Sequence, residues 1–498
     1  MTSDPSTTGP RSDTMSDRAI GTILLCALFA LPAYFAVRQL AVWPARLRYP
    51  AGLEITEGIV LAEMALLREG EPVYAPATPE TFRSMIYGPL AYLVGSRLVD
   101  PQEPAYGRLR MLSILATLAL AGGCGLLAWW MTKNPAAAAL SSLLFLAYRF
   151  VTRYAVTARP DSVALLLWFS GFLVAYRFRD SKKILWSIPL MTLGAYYKQQ
   201  FIVAPLAVFL FLVLEKRYRA ALQFAVLLGA AGLSSLAAFE FLVFRHQAFH
   251  LHFLTYNLLP FSLSEGLLRL LALLIVFLIP CLMALRLLSL HPNKLLACYF
   301  GWALVLIPLL SSRKGAGLNY AFELFLILCP LAASYVTMRI SSPARAALLI
   351  CLLGAALWLG HLEWGKKFDP SPQDFAQEGA VQGFLRGNFP PHTPALGDFS
   401  GDLMRAGLDT PITNLFQYTW LACKGDSGED SLVAQIQQRR FGVILLNQDL
   451  AGEGSTQDPV KACLTRPVRQ AVLQNYRLSQ RFEFQLWDKQ PYHAWVRR

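Results

Sequence analysis

Charge is the scarce ingredient of this sequence. Asp, Glu, Lys and Arg make up 15% of its 498 residues, where a soluble globular chain carries about 25%. The deficit goes with repeated apolar runs of about 14–25 residues, long enough to cross or nearly cross a hydrocarbon core. A soluble globular protein is thereby excluded, and the class is a polytopic α-helical membrane protein. Metal-type cysteine spacing is also missing, with no CxxC among the eight cysteines. Cys26, Cys124, Cys281, Cys298, Cys329 and Cys351 sit singly in apolar runs, where cysteine acts as a small hydrophobe. Cys423 and Cys463 lie in a polar region and form a disulfide only if that region is outside the cytoplasm. No nucleic-acid motif accompanies the formal charge of +13, so nucleic-acid binding is set aside. No internal repeat at a fixed period is present, and the chain start lacks the charged–apolar–small pattern of a cleaved signal.

What is present falls into three parts. Residues 1–17 are rich in Ser, Thr, Pro and Asp and read as a disordered tail. Residues 18–361 hold about eleven apolar runs, at about 19–41, 109–131, 135–150, 162–177, 184–198, 200–214, 220–244, 266–286, 295–311, 319–338 and 345–361. Residues 362–498 return to soluble levels of charge, Pro and Gly and read as an extracytoplasmic α/β domain. In it Phe441-Gly442-Val443-Ile444-Leu445-Leu446-Asn447 has the pattern of a buried strand. Residues 477–487 alternate like one strand of a hairpin. Asp398-Phe399-Ser400-Gly401-Asp402 predicts a turn into a short helix.

Basic residues set the topology. With the N-terminus cytoplasmic, every inner loop carries a cation: Lys133; Arg179, Lys182 and Lys183; Lys216, Arg217 and Arg219; Arg286 and Lys294; Arg339 and Arg345. An odd number of spans then puts the C-terminal domain outside. A hairpin with Lys198-Gln199-Gln200 at its outer tip keeps both flanking basic loops inside.

The outer loops are the unusual ones. The first, 42–108, carries Glu54 and Glu57, a helical-period stretch over 57–67, the turn Gly70-Glu71-Pro72 and Tyr87-Gly88-Pro89-Leu90. The apolar stretch 85–98 is too short to span and is expected at the interface. Other outer segments carry Arg149, Arg153, Arg159 and Asp161, then Lys198 and Gln199, and then Arg313, Lys314, Asn319 and Tyr320. Cations gathered on the outer face run against the topological bias and point to an anionic ligand. At i and i+3, Glu54 and Glu57 would share a helix face. A carboxylate near a fixed cation stays ionised and can take a proton from a hydroxyl. Arg159, Lys198 and Lys314 can hold a phosphate and stabilise charge growing on it. This chemistry is transfer of a group from a lipid phosphate to a hydroxyl or similar nucleophile.

Plainer readings stand beside it. The glutamates can be a solvated interfacial face. Asp161 can be the N-cap of the next helix, and Lys198 can snorkel. His246, His250 and His252 lack a carboxylate at a recognised metal spacing. Glu240 and Glu323 fall in or near spans, where acids are functional candidates by default.

Taken together, Glu54-x-x-Glu57-Gly58, Gly70-x-x-x-Tyr74, Tyr87-Gly88-Pro89-Leu90, Ala158-Arg159-Pro160-Asp161, Lys198-Gln199 and Asn319-Tyr320 resemble the GT-C class of integral-membrane glycosyltransferases. That class includes the protein O-mannosyltransferases and the aminoarabinose transferases. The resemblance covers about residues 18–361. It implies a GT-C-like membrane domain, a polyprenyl-phosphate sugar donor, and transfer on the outer face, usually with inversion. It also implies an acidic catalytic base in the first outer loop. Glu54 matches the first acid of the motif, where the class more often has Asp, and Glu57 matches the second, so both stay open as the base. Tyr87-Gly88-Pro89 departs from the commoner Tyr-Pro-Pro. Asp161, Gln199, Tyr87, Asn319 and Tyr320 complete the expected site. No metal ligands are assigned, although a divalent metal against one glutamate stays an alternative. The acceptor is an unspecified lipid, glycan or protein, and membrane lipids surround the body. A bacterial inner membrane is the expected location. The alternatives are a transporter or flippase of a lipid-linked or anionic solute, and a non-catalytic assembly subunit.

Overall fold

The structure is a computed structural model. It describes residues 15–498 except 79, 246, 259–260, 314–315, 341, 363–368, 424–428, 451–463 and 487–490. Most of the expected tail 1–17, the Lys314 site and the Cys423–Cys463 pairing lie outside the described residues or side chains.

The membrane portion runs α1 (Met15–Arg48), α2 (Ile55–Glu69), α3 (Pro89–Ser96), α4 (Gly107–Thr132), α5 (Pro135–Ala147), α6 (Arg149–Ala155) and α7 (Asp161–Arg177). It continues through α8 (Ser187–Tyr197), α9 (Val203–Leu214), α10 (Tyr218–Ala238), α11 (Leu263–Leu290), α12 (Lys294–Ser311), α13 (Phe322–Arg339) and α14 (Pro343–Leu362). Each of the eleven apolar runs falls on a helix. By length and composition, however, seven helices among the described residues can cross a membrane, or eight if α5 and α6, bent by 69° at Tyr148, count as one. The shortfall lies in the region of α7 to α9, where α8 and α9 have 11 and 12 residues. At about 1.5 Å per residue these are well short of a ~30 Å hydrocarbon core. Lys198 sits at the break between them and is buried to 1% exposure, so it does not snorkel.

The long loop 42–108 is largely structured. α2 stops at Gly70, whose φ of +91° suits glycine, and Glu71 N–H closes back on the Leu66 carbonyl. α3 begins with Pro89 at its first turn. It is mostly buried against α2 and α8.

The C-terminal region carries α15 (Pro372–Asn388), β1 (Ala395–Gly397), α16 (Ser400–Arg405), α17 (Leu415–Cys423), α18 (Glu429–Gln437), β2 (Val443–Leu446), α19 (Arg466–Asn475), β3 (Tyr476–Phe482) and β4 (Tyr492–Arg497). The sheet order is β1-β2-β4-β3, with β1 and β2 parallel and the other pairings antiparallel. The buried strand, the hairpin and the turn into a short helix appear where the sequence pattern puts them. α15 starts with a reciprocal cap, in which Ser371 and Asp374 satisfy each other's backbone amides.

This region is clamped onto the 42–108 loop. Phe82 N–H donates to the Pro411 carbonyl at 2.9 Å, and Thr413 N–H donates to the Phe82 carbonyl at 3.0 Å. Glu63, fully buried, accepts from Ser84 N–H (2.6 Å), Ser84 Oγ (2.7 Å), Met85 N–H (3.0 Å), Tyr92 OH (2.9 Å) and Thr413 Oγ1 (2.9 Å). Helices α2 and α16 touch backbone to backbone at Gly58 and Gly401. A Cβ on Gly401 would come within 2.5 Å of Gly58 Cα and would strike the Tyr106 hydroxyl.

Candidate functional site

A cleft of about 1280 Å³, counted to its open mouth, lies between the 42–108 loop, the ends of the membrane helices and the C-terminal region. The membrane side contributes Glu54, Tyr87, Arg159, Lys198, Asn319 and Tyr320. Six residues named from sequence therefore line one space. Arg153 and Arg313, expected only as outer cations, line it too.

The polar wall is organised by Asp161. Its Oδ1 accepts from Lys198 Nζ and from Asn319 Nδ2, both at 2.7 Å, and its Oδ2 accepts from Arg159 Nε at 3.1 Å. The expectation of Asp161 as an N-cap is corrected. Pro160 occupies the cap, Asp161 is the first residue of α7, and its carboxylate reaches across the site. Asp161 itself is fully buried behind the wall. Arg159 also reaches Glu54, with Nη1 at 3.2 Å from Oε1. Glu54, Arg159, Asp161 and Lys198 thus form an alternating chain of charges. A charge-paired network of this kind holds long side chains in one geometry. Lys198 Nζ lies 4.8 Å from the Tyr87 ring centre, so the tyrosine face supports the cation as well. Asn319 is 2% exposed, and its Oδ1 has no hydrogen-bond donor among the described residues. Gln199 does not line the cleft, and its buried Oε1 is likewise without a donor there.

The two glutamates part company. Glu54 is the N-cap residue of α2 in an extended conformation, φ −154° and ψ 162°. It is outside the helix, so the i, i+3 rule that would put both acids on one face does not apply. Glu54 lines the cleft with 22% of its side chain exposed. Glu57 is inside α2, has no exposure and does not reach the cleft. Its Oε2 accepts from Arg110 Nη2 at 2.8 Å and from Leu53 N–H at 2.6 Å, while Oε1 takes Arg110 Nε and Ala158 N–H. Arg110, equally buried, also donates to the carbonyls of Arg46, Tyr49 and Ala51. Glu57 therefore ties α4 to the 46–53 turn and to the Ala158-Arg159 segment. Sequence reasoning missed Arg110 as the partner. The available signal was an arginine just inside an apolar run.

The remaining candidates resolve into structural roles. Glu323 is buried and accepts from Val203 N–H at 2.9 Å, satisfying an orphan amide at the start of α9. His250 pairs with Glu240 at 3.1 Å, and buried His252 binds the Ala75 carbonyl at 2.8 Å. Among the described residues no three His, Cys, Asp or Glu side chains converge as metal ligands.

The far wall of the cleft was not assigned from sequence. Asp398, Asn414, Leu415, Phe416, Gln417 and Asn447 line it, all from the C-terminal region. Asp398 and Asn447 directly follow the parallel strands β1 and β2. Ligands in α/β sheets are met in the crevice beyond the carboxyl ends of such strands. The Asn447 N–H donates to Asp398 Oδ2 at 3.0 Å, and the Asn447 Oδ1 has no donor among the described residues. Burial pushes the Asp398 carboxyl up to about 6, with the Asn447 amide pulling the other way. The usable signal was position, a polar residue at the end of each expected strand.

No protein-family model matches the chain, and no curated protein matches it by sequence. Among solved structures, ArnT from Cupriavidus metallidurans in the apo state is similar with a TM-score of 0.60 and 11% identity, covering 93% of this chain and 97% of that one. ArnT from the same organism bound to undecaprenyl phosphate is similar with a TM-score of 0.57 and 13% identity, over the same shares of both chains. At these identities the likeness is one of fold, and it takes in the C-terminal region together with the membrane helices. The chain therefore has the fold of ArnT, a GT-C glycosyltransferase, as the sequence resemblance implied.

Proposed function

We propose that this protein is a membrane glycosyltransferase. It moves a sugar from a polyprenyl-phosphate donor to an acceptor at the face of the membrane where the C-terminal domain sits. The observation that carries the reading is the meeting of Glu54, Arg159, Lys198 and Asn319 at one cleft wall, with a second polar wall facing them. The binding of undecaprenyl phosphate by the similarly folded ArnT supports the class of donor.

In this scheme Arg159 and Lys198 face the donor phosphate, with Arg313 at the rim. Arg313 donates to the neutral Asn257 Oδ1 at 3.2 Å. Glu54, kept ionised beside Arg159, takes the proton of the acceptor hydroxyl. The acceptor oxygen bonds to the anomeric carbon as the bond from that carbon to the phosphate oxygen breaks. The electron pair leaves on the phosphate, where the cations stabilise it. A single displacement of this kind inverts the anomeric centre. Asp161 is a positioning residue that sets Arg159, Lys198 and Asn319, and Glu57 positions the segment carrying Arg159. Tyr87 and Tyr320 supply flat walls suited to an isoprenoid–sugar junction. No step needs a divalent ion, because fixed cations already face the leaving group.

The orientation follows the basic inner loops, with the N-terminus cytoplasmic, the 362–498 domain outside and a bacterial inner membrane as the setting. Native mass spectrometry of the full chain in mild detergent tests the donor site. A co-purified polyprenyl phosphate or its sugar adduct is expected, lost in Arg159→Ala and Lys198→Ala. Bulk phospholipid alone, unchanged in both variants, refutes the phosphate site.

A further inference from the structure

The two walls of the cleft differ in charge. Arg153, Arg159, Lys198 and Arg313 line it from the membrane portion, and no described cation lines it from the C-terminal region. The C-terminal wall is built on the carboxyl ends of β1 and β2. The Asp398 N–H donates to the Leu445 carbonyl at 3.0 Å, and the Asn447 N–H donates to Asp398 Oδ2 at the same distance. Neighbouring strands lie about 4.8 Å apart, so the two residues stand side by side on a rigid base.

Hydrogen bonding separates the polar residues of this wall. Asn414 and Gln417 are consumed by the fold. Asn414 Oδ1 accepts from the Gln417 N–H at 3.1 Å, and Gln417 Nε2 donates to the Tyr256 carbonyl at 2.7 Å. Asp398 is 7% exposed, bonds only through Oδ2, and pairs with no cation among the described residues. Asn447 Oδ1 has no donor among them. Buried acceptors are rarely left so, because each costs free energy until a donor meets it. Phe416, half-buried, lines the same wall.

These residues select the chemistry of what binds. An anion is drawn to the four cations and repelled by Asp398, while a cation is repelled by those four. A neutral group rich in hydroxyls fits both. Its hydroxyls donate to the Asp398 and Asn447 oxygens, and the C–H face of a sugar ring packs on the electron-rich face of an aromatic ring. The segment after Asp398 carries Phe399 and Gly401, which share a smaller pocket with Glu54 and Ile55. A group held at Asp398 is therefore next to the base.

We propose that Asp398, Asn447 and Phe416 form the acceptor subsite, and that the acceptor is an uncharged sugar glycosylated on a hydroxyl. This rests on the glycosyltransferase reading above. One hydroxyl of the bound sugar gives its proton to Glu54. Its oxygen bonds to the anomeric carbon of the donor as the phosphate leaves with the electron pair.

Saturation-transfer NMR of the full chain in phosphatidylcholine nanodiscs, free of sugar-headed detergent, tests it. The pH is 8, where Asp398, raised to about 6, is ionised. The probes are the methyl glycosides of glucose, galactose, mannose and N-acetylglucosamine, with methyl glucuronide as the anionic counterpart. At least one neutral glycoside is expected to bind, more tightly than the glucuronide. Asp398→Asn keeps an oxygen for the Asn447 N–H, and Asn447→Ala keeps that N–H, so both preserve the strand ends. Each is expected to weaken binding about 10-fold. Lys198→Ala, at the donor phosphate, leaves it unchanged. Binding of no neutral glycoside overturns the proposal, as does binding unchanged in both wall variants or a preference for the glucuronide. Loss in Lys198→Ala with retention in Asp398→Asn overturns it too, by placing the sugar with the donor. Native mass spectrometry separates this from the reading it rests on. Polyprenyl phosphate retained by Asp398→Asn upholds the donor site whatever the glycosides do, and glycoside binding without polyprenyl phosphate in any variant would leave a sugar site on a protein that is not this transferase.

Discussion

Replacing Glu57 by glutamine and Glu54 by glutamine separates the two acids that sequence left equivalent. Glu57 and Arg110 are both without solvent exposure, and the pair is closed at 2.8 Å. Glutamine keeps the shape but removes the counter-charge, leaving the Arg110 guanidinium buried with only backbone carbonyls around it. Breaking one side of a buried pair costs about 3–5 kcal/mol. Glu54 and Arg159 have 22% and 13% side-chain exposure, and a partly solvated pair is worth about 1 kcal/mol or less. Catalysis reverses the order. Loss of a general base costs about 10²–10⁴-fold in rate. Glu54→Gln is therefore expected to keep its thermal transition within a degree or two and to lose transfer by that factor. Glu57→Gln is expected to unfold many degrees lower, while its folded fraction transfers within about tenfold of the parent. Thermal unfolding in one detergent, paired with initial rates of sugar transfer from a polyprenyl-phosphate donor, reads both effects. A Glu57→Gln protein with an unchanged transition and no transfer, beside an active Glu54→Gln, refutes the assignment.

Three further outcomes follow from the same geometry. Burial raises the Asp398 carboxyl to about 6 from its ordinary 3.8. The folded state binds that proton more tightly than the unfolded chain, so this group's contribution is complete below about pH 4 and lost as pH rises through about 6. Asp398→Asn should then stabilise the protein at pH 8 by at most about 3 kcal/mol and leave it unchanged at pH 4. An equal effect at both pH values contradicts this. Gly401→Val forces α16 away from Gly58 and Tyr106 and should cost about 1–3 kcal/mol. Thermal unfolding in detergent checks it, and an unchanged transition would show that the close approach of α16 to α2 carries no stability. Transfer should survive extensive chelation by EDTA, and its abolition with recovery on adding a divalent ion would replace the cation scheme with a metal-assisted one.

How much of this was legible depends on the range of each interaction. The apolar runs name the helices because burial in lipid is a local, additive property of consecutive residues. Gly70 at the end of α2, Pro89 at the start of α3 and the strand at 443–446 are equally local. Arg159 and Lys198 were legible for another reason. In the topology expected from the basic loops they fall on the outer side, where a cation runs against the charge bias and stands out without a known partner. The partner choices were not legible. Nothing within a few residues of Glu57 indicates Arg110 more than 50 positions on, or that Glu54 stops one residue short of the helix. Glu323 reads as an intramembrane acid until α9 supplies the amide that occupies it.

The sequence by itself determined a polytopic helical body, the cations and acids of the loops between its helices, and the strands and helices of the C-terminal region. Hydrophobic period, turn residues and charge bias act over a few residues and need no fold to be read. Only the tertiary structure decided that Glu54 faces the cleft while Glu57 is sealed with Arg110, and that Asp161 binds across the site instead of capping its helix. It alone brought Asp398 and Asn447 over the membrane residues to form the opposite wall. The physical reason is that ion pairs and hydrogen bonds between distant segments form only after packing has set their distances. A composition or a spacing contains no information about that step.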